Sequence, residues 1–283
     1  MSLSTSINKR LLPYLLLAPA LVVYVTFSLI PLAGVFRLSL YRTNFIKTSW
    51  VGLGNYAKLL TDEKFLGSLL NSFLYVILTV PLSAALSVLV ALLIYNTSEK
   101  WQNFAKVAVY IPGFVGAIIL SSVWLWIWNT DAGIVNNLIG KTVPWFTNRW
   151  LSIIPIVISS VMSGWGHSLI IHNAVLKGVS KESIDAAQID GANWVQIKMK
   201  ILLPQLYKAI VLLSLLGVAG TFQMFYWIEF MAPYDYAGTL MWRMYKTAFS
   251  FSKYGRGSAY AVVLMVIILI VAMIQRRLMR REK

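Results

Sequence analysis

The stretch Lys181–Pro204, KESIDAAQIDGANWVQIKMKILLP, is a polar loop between two long apolar segments, at about 150–174 and 207–230. Its composition favours helix, and charged or amide side chains recur along it. A membrane protein has no need of such a loop at one surface unless the loop touches something. We therefore expect a docking surface for a soluble partner.

The whole chain is too apolar for a soluble globular domain, since 58% of its 283 residues are hydrophobic and the mean hydropathy is +0.70. A helix of about 20 residues crosses a hydrocarbon core about 30 Å thick, and unbroken apolar runs of this length exclude a β-barrel. We expect an all-α polytopic membrane protein, with one domain over 1–283. The six expected transmembrane helices are 12–36, 71–95, 106–128, 151–174, 207–229 and 258–275.

The net charge of +15 comes from basic residues spread among loops and helix ends, which fits contact with lipid head groups rather than with nucleic acid. The side of the membrane that holds both termini and the 175–208 loop carries 14 Lys and Arg residues, against 11 on the other side. This bias predicts that both termini are cytoplasmic. The basic residues at the two ends of the chain are Lys9, Arg10, Arg276, Arg277, Arg280, Arg281 and Lys283. The absence of cysteine excludes disulfides and thiolate chemistry.

Local signals within the polar loop predict two short helices joined at Gly191. Ser180 can cap the first helix, with Glu182 near its positive end, and Pro204 is expected to close the unit before the next membrane helix. An apolar stripe at helical spacing follows the glycine: Trp194, Ile197 and Ile201. Such a pair of helices could insert into a groove on a partner, or it could lie on the membrane surface with Trp194 at the interface.

The loop also carries a recognisable spacing, Asp185-Ala186-Ala187-x3-Gly191-x9-Ile201-x-Leu203-Pro204. It resembles the EAA loop of ABC-importer permeases, with Asp185 in place of the usual Glu. Weaker likenesses to the sugar and glycerol-phosphate (maltose-type) branch extend along the chain. These lie in Leu12–Pro31, in Trp50–Tyr56 followed by Asp62 and Phe65, and in Tyr245–Phe249 followed by Gly255 and Ala259.

The resemblance implies the transmembrane subunit of a type I ABC importer in a bacterial or archaeal cell membrane. Its partners would be a second permease, a different chain in this branch, two cytoplasmic ATPases that hold ATP and Mg, and an extracytoplasmic binding protein. The loop at 180–204 would be the coupling helix on which an ATPase docks. The residues expected to dock and couple are Glu182, Asp185, Ala186, Ala187, Asp190, Gly191, Ala192, Trp194, Ile201 and Pro204.

The chain has no phosphate-binding loop of the G-x4-GK[ST] type. We therefore expect that it is not an enzyme, that it binds no cofactor or metal, and that partner subunits hydrolyse ATP.

Polar and aromatic side chains within the apolar segments are candidates for a substrate pathway, because exposing them to lipid is costly. The clearest candidates lie on the fourth and fifth expected helices. The resemblance implies that these two helices contact the ligand and that the ligand is a sugar or oligosaccharide. The candidate residues are Ser163, Trp165, His167, Gly220, Thr221, Gln223, Met224, Tyr226 and Trp227.

Several of these residues have simpler explanations. His167 could hydrogen-bond between helices, and Tyr226 and Trp227 could belong to an interfacial aromatic belt. Glu229 is either a sugar ligand or, as we favour, a partner for Arg243 or Lys246. The tryptophans of the third segment are expected to form part of such a belt: Trp124, Trp126 and Trp128.

Two other protein classes and two other ligands compete with this interpretation. An ion-coupled secondary transporter would need intramembrane carboxylates, and the six segments hold none securely. A membrane enzyme would need a metal site or a catalytic triad, which two histidines without an acid cluster cannot form. A polyol or a glycerophosphodiester remains open as a ligand. The segment Phe230–Tyr236 lacks the family's Gly-Gly-Pro pattern where the binding protein approaches.

Overall fold

The structure is a computed structural model that describes residues 12–280, so Lys9, Arg10, Arg281 and Lys283 lie outside the described residues. The described chain is almost entirely helical, with one two-stranded hairpin. The helices and strands are α1 (Leu12–Tyr24), α2 (Ile30–Ser39), β1 (Tyr41–Thr43), β2 (Thr48–Trp50), α3 (Gly54–Leu60), α4 (Glu63–Ile94), α5 (Glu99–Tyr110), α6 (Ala117–Ile127), α7 (Ile134–Ile139), α8 (Arg149–Gly164), α9 (Gly166–Lys177), α10 (Lys181–Ile189), α11 (Trp194–Ile197), α12 (Leu203–Phe222), α13 (Tyr226–Met231), α14 (Leu240–Tyr245) and α15 (Tyr254–Arg280). Wider or tighter helical turns occupy Val25–Leu29, Ile111–Phe114, Lys198–Leu202 and Lys246–Ser250.

The chain forms two compact units, and the expectation of a single domain stays a prediction. The smaller unit contains residues 12–61 and 244–263. In it, β1 and β2 pair antiparallel, with Tyr41 opposite Trp50 and Thr43 opposite Thr48. Asn55 is buried at the start of α3, and its Nδ2 donates to the carbonyls of Ser39 (2.8 Å) and Tyr41 (2.9 Å), which ties α3 to the end of α2.

The larger unit contains residues 62–243 and 264–280, and its centre is the long helix α4, which packs against α8, α9 and α12. Two hydrophobic clusters build its core. The first surrounds Tyr75 and Ile156, and the second surrounds Leu169, Leu202 and Leu206. Because these helices pack together over their length, polar side chains on their facing sides lie inside protein rather than against lipid.

Four described helical stretches are long and apolar enough to cross a membrane, and the number reaches six when each of two bent helix pairs counts as one span. The pair Glu99–Phe114 and Ala117–Ile127 bends by 102°, and the pair Arg149–Gly164 and Gly166–Lys177 bends by 46°. The third expected span, 106–128, is therefore a sharply bent helix pair and not one continuous helix. Pro112 has no N–H for an α-helical hydrogen bond, and the backbone becomes extended at Val115.

The fifth span also differs from its predicted range of 207–229. One continuous helical stretch runs from Trp194 to Phe222, so Pro204 does not close the loop before the membrane helix. The helix widens into a π-turn before this proline, where the Leu203 N–H bonds to the Lys198 carbonyl, which accommodates the missing N–H. The apolar sequence continues past Phe222 because Met224 and Ile228 are buried in the protein core.

Candidate functional site

The polar loop begins with a capped helix and turns sharply at one glycine. The Ser180 side chain accepts a hydrogen bond from the Ser183 N–H and caps α10, as predicted. Gly191 has a φ of +83°, a left-handed conformation in which a side chain would be strained. Asn193 and Gln196 then form a reciprocal capping box that starts α11. The two arms of the loop are thus set by local hydrogen bonds.

Both arms of the loop are anchored in the core of the larger unit. Ile184 from α10 and Ile197 from α11 are 7% and 1% exposed and join the same cluster as Leu169 and Leu206. These last two residues belong to α9 and α12, the helices on either side of the loop. A displacement of the loop would therefore be passed to these two helices, because closely packed side chains transmit strain.

The residues predicted to dock a partner divide between a buried face and an exposed face. Ala187, Ala192 and Ile201 are half-buried and pack against the core cluster. Their neighbours face outward and can be reached by a partner: Glu182, Asp185, Ala186, Asp190, Gly191, Trp194 and Pro204.

Two exposed apolar residues of this outward face were missed by the sequence analysis. Ile189 is 87% exposed and Val195 is 69% exposed. Ile189 follows the buried Ile184 by five positions, which places it about 140° around the helix, on the opposite side. This angular offset could have identified Ile189 as exposed from the sequence.

A cavity of about 420 Å³ lies inside the larger unit. It is lined by α4, by both halves of the bent fourth span, by α12, by the turn that follows α12 and by the start of α13. Of the candidate pathway residues, those that line it are Trp165, His167, Gly220, Thr221, Gln223, Met224, Tyr226 and Trp227. The structure therefore brings eight of the nine candidates to one cavity.

Ser163 does not line this cavity. It is buried, and its Oγ accepts a hydrogen bond from Trp124 Nε1 at 2.9 Å. It lines a neighbouring cavity of about 540 Å³, together with His167 and Trp227. Its contact with Trp124 gives Ser163 a role in holding α6 against α8.

The sequence analysis missed a row of hydroxyl groups on α4. Thr79, Ser83 and Ser87 are spaced by four residues, so they share one helix face, and all three line the cavity. That spacing was visible in the sequence. His172 also lines the cavity, one helical turn plus one residue after His167. Among the described side chains, Thr79 Oγ1 and both ring nitrogens of His172 are buried without a hydrogen-bond partner.

The described residues that line the cavity include no Lys, Arg, Asp or Glu. Its polar groups are hydroxyls, two imidazoles and one carboxamide, and its aromatic groups come from residues such as Trp165, Tyr226 and Trp227. Such a surface offers hydrogen bonds to hydroxyl groups and flat faces to C–H bonds. Its described residues offer no Arg or Lys side chain to a carboxylate or a phosphate.

The tryptophans of α6 and its C-cap do not form one interfacial belt, so that expectation is wrong for Trp124, Trp126 and Trp128 as a group. Trp128 is 5% exposed, and its Nε1 donates to Ser159 Oγ at 3.0 Å. Trp124 donates to Ser163, as described above, and only Trp126 among the three is largely exposed, at 76%. Buried indole N–H groups require a partner, and the serines of α8 provide it.

The segment between α13 and α14 is held by polar contacts within the larger unit. Asp235 pairs with Lys64 and Arg243, each at 2.8 Å, whereas Glu229 accepts from Trp242 Nε1 at 2.6 Å. Burial raises the pKa of Asp235, but the hydrogen bonds and charges of Lys64 and Arg243 outweigh it, so the pKa lies below its ordinary value. The carboxylate at position 235 therefore stays ionised and braces this segment.

Comparison with known proteins identifies the family. The family described as "binding-protein-dependent transport system inner membrane component" matches residues 51–283. The arabinooligosaccharides transport system permease protein AraP of Halalkalibacterium halodurans is 27% identical over 95% of this chain and 87% of its own length. The alpha-glucoside transport system permease protein AglF of Rhizobium meliloti is 30% identical, over 93% and 80%.

Solved structures confirm the predicted fold. A chain of a bacterial ABC transporter involved in the import of the acidic polysaccharide alginate superposes with a TM-score of 0.85 at 21% identity, over 97% of each chain. A chain of the MetNI methionine ABC transporter in an inward-facing conformation superposes with a TM-score of 0.57 at 15% identity, over 81% of this chain and 99% of its own. The resemblance inferred from the loop spacing is confirmed. This chain belongs to the family of inner membrane components of binding-protein-dependent transport systems.

Proposed function

We propose that the chain is one permease subunit of an ATP-driven importer whose substrate is an uncharged mono- or oligosaccharide. The observation that carries this proposal is the cavity in the larger unit, which combines hydroxyl, imidazole and carboxamide groups with aromatic faces and has no charged lining residue. Sugars present hydroxyls for such hydrogen bonds and a C–H face for stacking on aromatic rings. The names of AraP and AglF refer to neutral saccharides, which supports this choice.

The lack of charged side chains among the described lining residues also distinguishes between the competing ligands. A glycerophosphodiester or an acidic saccharide carries a phosphate or a carboxylate, which proteins bind with Arg or Lys. A polyol offers the same hydroxyls as a sugar but lacks a ring whose C–H face could stack on Trp165 or Trp227. A neutral saccharide therefore fits the lining best.

In the proposed cycle, the polar loop transmits the work of an ATPase to the membrane helices. A partner ATPase, which holds ATP and Mg, covers the exposed face of α10. That face includes Glu182, Asp185 and Ile189 of this chain. Movement of that face pulls Ile184 and Ile197, and the helices α9 and α12 that they contact then reorient around the cavity. The chain itself hydrolyses no ATP in this scheme, since it carries no phosphate-binding loop.

The complete transporter would contain this chain, a second and different permease, two ATPases and an extracytoplasmic binding protein that delivers the sugar. The loop and both termini would face the cytoplasm, in agreement with the excess of basic residues on that side.

The proposal is tested by purifying the tagged full chain from its native membrane and identifying the co-purifying proteins by mass spectrometry. We expect a second permease, a P-loop ATPase and a binding protein. Titration of that binding protein with neutral saccharides, uronic acids and glycerophosphodiesters, followed by calorimetry, should then show binding of a neutral saccharide alone. A chain that is recovered alone and transports in liposomes without ATP would contradict the importer. Tight binding of only anionic ligands would contradict the substrate class.

A further inference from the structure

The smaller unit contains a basic cleft of about 670 Å³, which has no role in the cycle proposed above. Five cationic side chains line it: Arg42, Lys47, Lys58, Lys253 and Arg256. No Asp or Glu occurs in residues 12–61 or 244–263, the segments that form this unit. Within the described chain, no ion pair involves any of the five. The positive charge of the cleft is therefore not neutralised inside its own unit.

The walls of the cleft are held in place by side-chain hydrogen bonds and by one close backbone contact. Asn55 ties α3 to the end of α2, and Thr43 Oγ1 and Thr48 Oγ1 are hydrogen-bonded at 2.7 Å across the hairpin. On the other wall, the start of α15 approaches the hairpin so closely that a Cβ added at Gly255 would lie 1.8 Å from the Tyr41 carbonyl oxygen. Only glycine permits this contact, so the cationic groups are carried by a rigid frame.

The cleft lies where two membrane spans end. The first span ends at Ser39, three residues before Arg42, and the last begins at Tyr254, directly after Lys253. Side chains so close to the ends of spans lie at the level of the lipid head groups, where Lys and Arg meet phosphates. The cleft is therefore positioned at a membrane surface, whichever side of the membrane it faces.

Exposed aromatic rings accompany the cleft at the same level. Phe45, which is 66% exposed, contacts Tyr254 with ring centroids 4.4 Å apart, and Tyr254 contacts Phe249, which is 59% exposed, at 6.2 Å. At the hairpin tip, Ile46 is 87% exposed. Aromatic and apolar groups beside cations are typical of a surface that enters the interface between head groups and acyl chains.

We propose that this cleft binds a phosphate group, presented by the head group of an anionic phospholipid. Arg42 and Arg256 can each form paired N–H···O hydrogen bonds with phosphate oxygens, and the three lysines add point charges. The acyl chains would lie along the exposed rings of Phe45 and Phe249. Because the hairpin and the start of α15 both contribute cations, a bound phosphate would clamp the ends of the first and last spans together.

The test measures lipid binding to the full chain, purified in a neutral detergent, by native mass spectrometry during titration with phosphatidylglycerol or phosphatidylcholine. The cleft variant is Lys47→Gln/Lys58→Gln/Lys253→Gln. The control variant, Lys100→Gln/Lys141→Gln/Lys208→Gln, removes the same charge from exposed lysines outside the cleft. Each lysine near an anionic head group raises the binding affinity roughly fivefold. We therefore expect phosphatidylglycerol affinity to fall at least about tenfold in the cleft variant, and several-fold less in the control, because its lysines lie outside the cleft.

Competition distinguishes the sources of the phosphate. Binding of phosphatidylglycerol that millimolar inorganic phosphate does not displace supports the lipid head group, whereas displacement supports a phosphate site filled from solution. Equal losses of lipid in the two variants would overturn the proposal. So would a cleft variant that keeps its lipid but no longer binds the purified binding protein, since the cleft would then be a protein-docking surface. If the triple variant does not elute as a single species in gel filtration, Lys47→Glu, at the exposed hairpin, replaces it.

Discussion

The polar loop and the central cavity belong to the same unit but are built in opposite ways. All residues of the loop lie within 180–204, and local hydrogen bonds at Ser180 and Asn193 set its helices. The cavity collects its lining from α4, α8, α9, α12, the turn after α12 and the start of α13, so its residues are spread over positions 79–227. The loop depends on backbone conformation, whereas the cavity depends on which helix faces meet.

This difference determines how each region can be damaged. A loop whose shape depends on one left-handed glycine should fail abruptly when that residue changes. A cavity whose polar groups come from several helices should lose function gradually, because each side chain contributes one hydrogen bond among many. The four predictions below test this contrast.

The largest effect is expected for Gly191→Pro, because proline fixes φ near −65° and the loop requires +83°. ATP-driven uptake by the reconstituted transporter should be abolished, while the amount of chain in the membrane stays unchanged. Uptake should be impaired less in Gly191→Ala and least in Gly191→Asn, since Asn tolerates the left-handed region. Gly34→Ala serves as the control, because an added Cβ there meets nothing within 4 Å. Equal uptake in all three Gly191 variants would show that the turn is not needed for coupling.

A second large effect is expected for Asp185→Lys, which reverses an exposed charge on the face proposed to meet the ATPase. Uptake and co-purification of the ATPase should both fall at least about tenfold, since like charges at an interface repel and an expected pair is lost. Asp131→Lys makes the same charge change at an exposed position away from the loop. If both variants lose the ATPase equally, the loss is caused by the change in net charge and not by damage to the docking face.

Two smaller effects are expected for Thr79→Val in the cavity: a gain in fold stability and a loss of affinity in uptake. Thr79 Oγ1 is buried without a hydrogen-bond partner, so its removal should stabilise the fold by about 1 kcal/mol. The same change should raise the KM for uptake about threefold to tenfold, because a hydroxyl proposed to bind sugar is lost. Thermal unfolding and uptake are measured together, with Thr61→Val, at an exposed residue outside the cavity, as the control. A raised Tm with unchanged KM would remove Thr79 from the proposed substrate site.

The smallest effect concerns Asp235, outside the membrane spans. Because its folded-state pKa is depressed, the stabilisation by Lys64 and Arg243 is present above the ordinary aspartate pKa of about 4 and is lost as the pH falls through the lower folded-state value. Hydrogen exchange of residues 232–239, corrected for intrinsic rates, should become faster below about pH 4. In Asp235→Asn the exchange should already be fast at neutral pH and change little. A wild-type segment that shows no pH dependence would contradict this brace.

The sequence predicted well those features that depend on neighbouring residues. Apolar run lengths predicted a polytopic helical protein, and the spacing from Asp185 to Pro204 identified the family. Both signals are local and survive any arrangement of the helices. Local signals failed where a segment is apolar for another reason, as at Met224 and Ile228, which are buried in protein and not in lipid. They also failed at Trp128, whose polar atom finds its partner 31 residues away.

By itself, the sequence determined the membrane class, the family and the position of the polar loop, because run length, charge and motif spacing are read along one chain. Only the tertiary structure decided which face of each helix meets another. It brought Thr79 and Ser83 to the same cavity as His172 and Gln223, turned Ile184 inward and Ile189 outward, and gathered five cations at the ends of two spans. These choices depend on packing between segments distant in sequence, which no local pattern records.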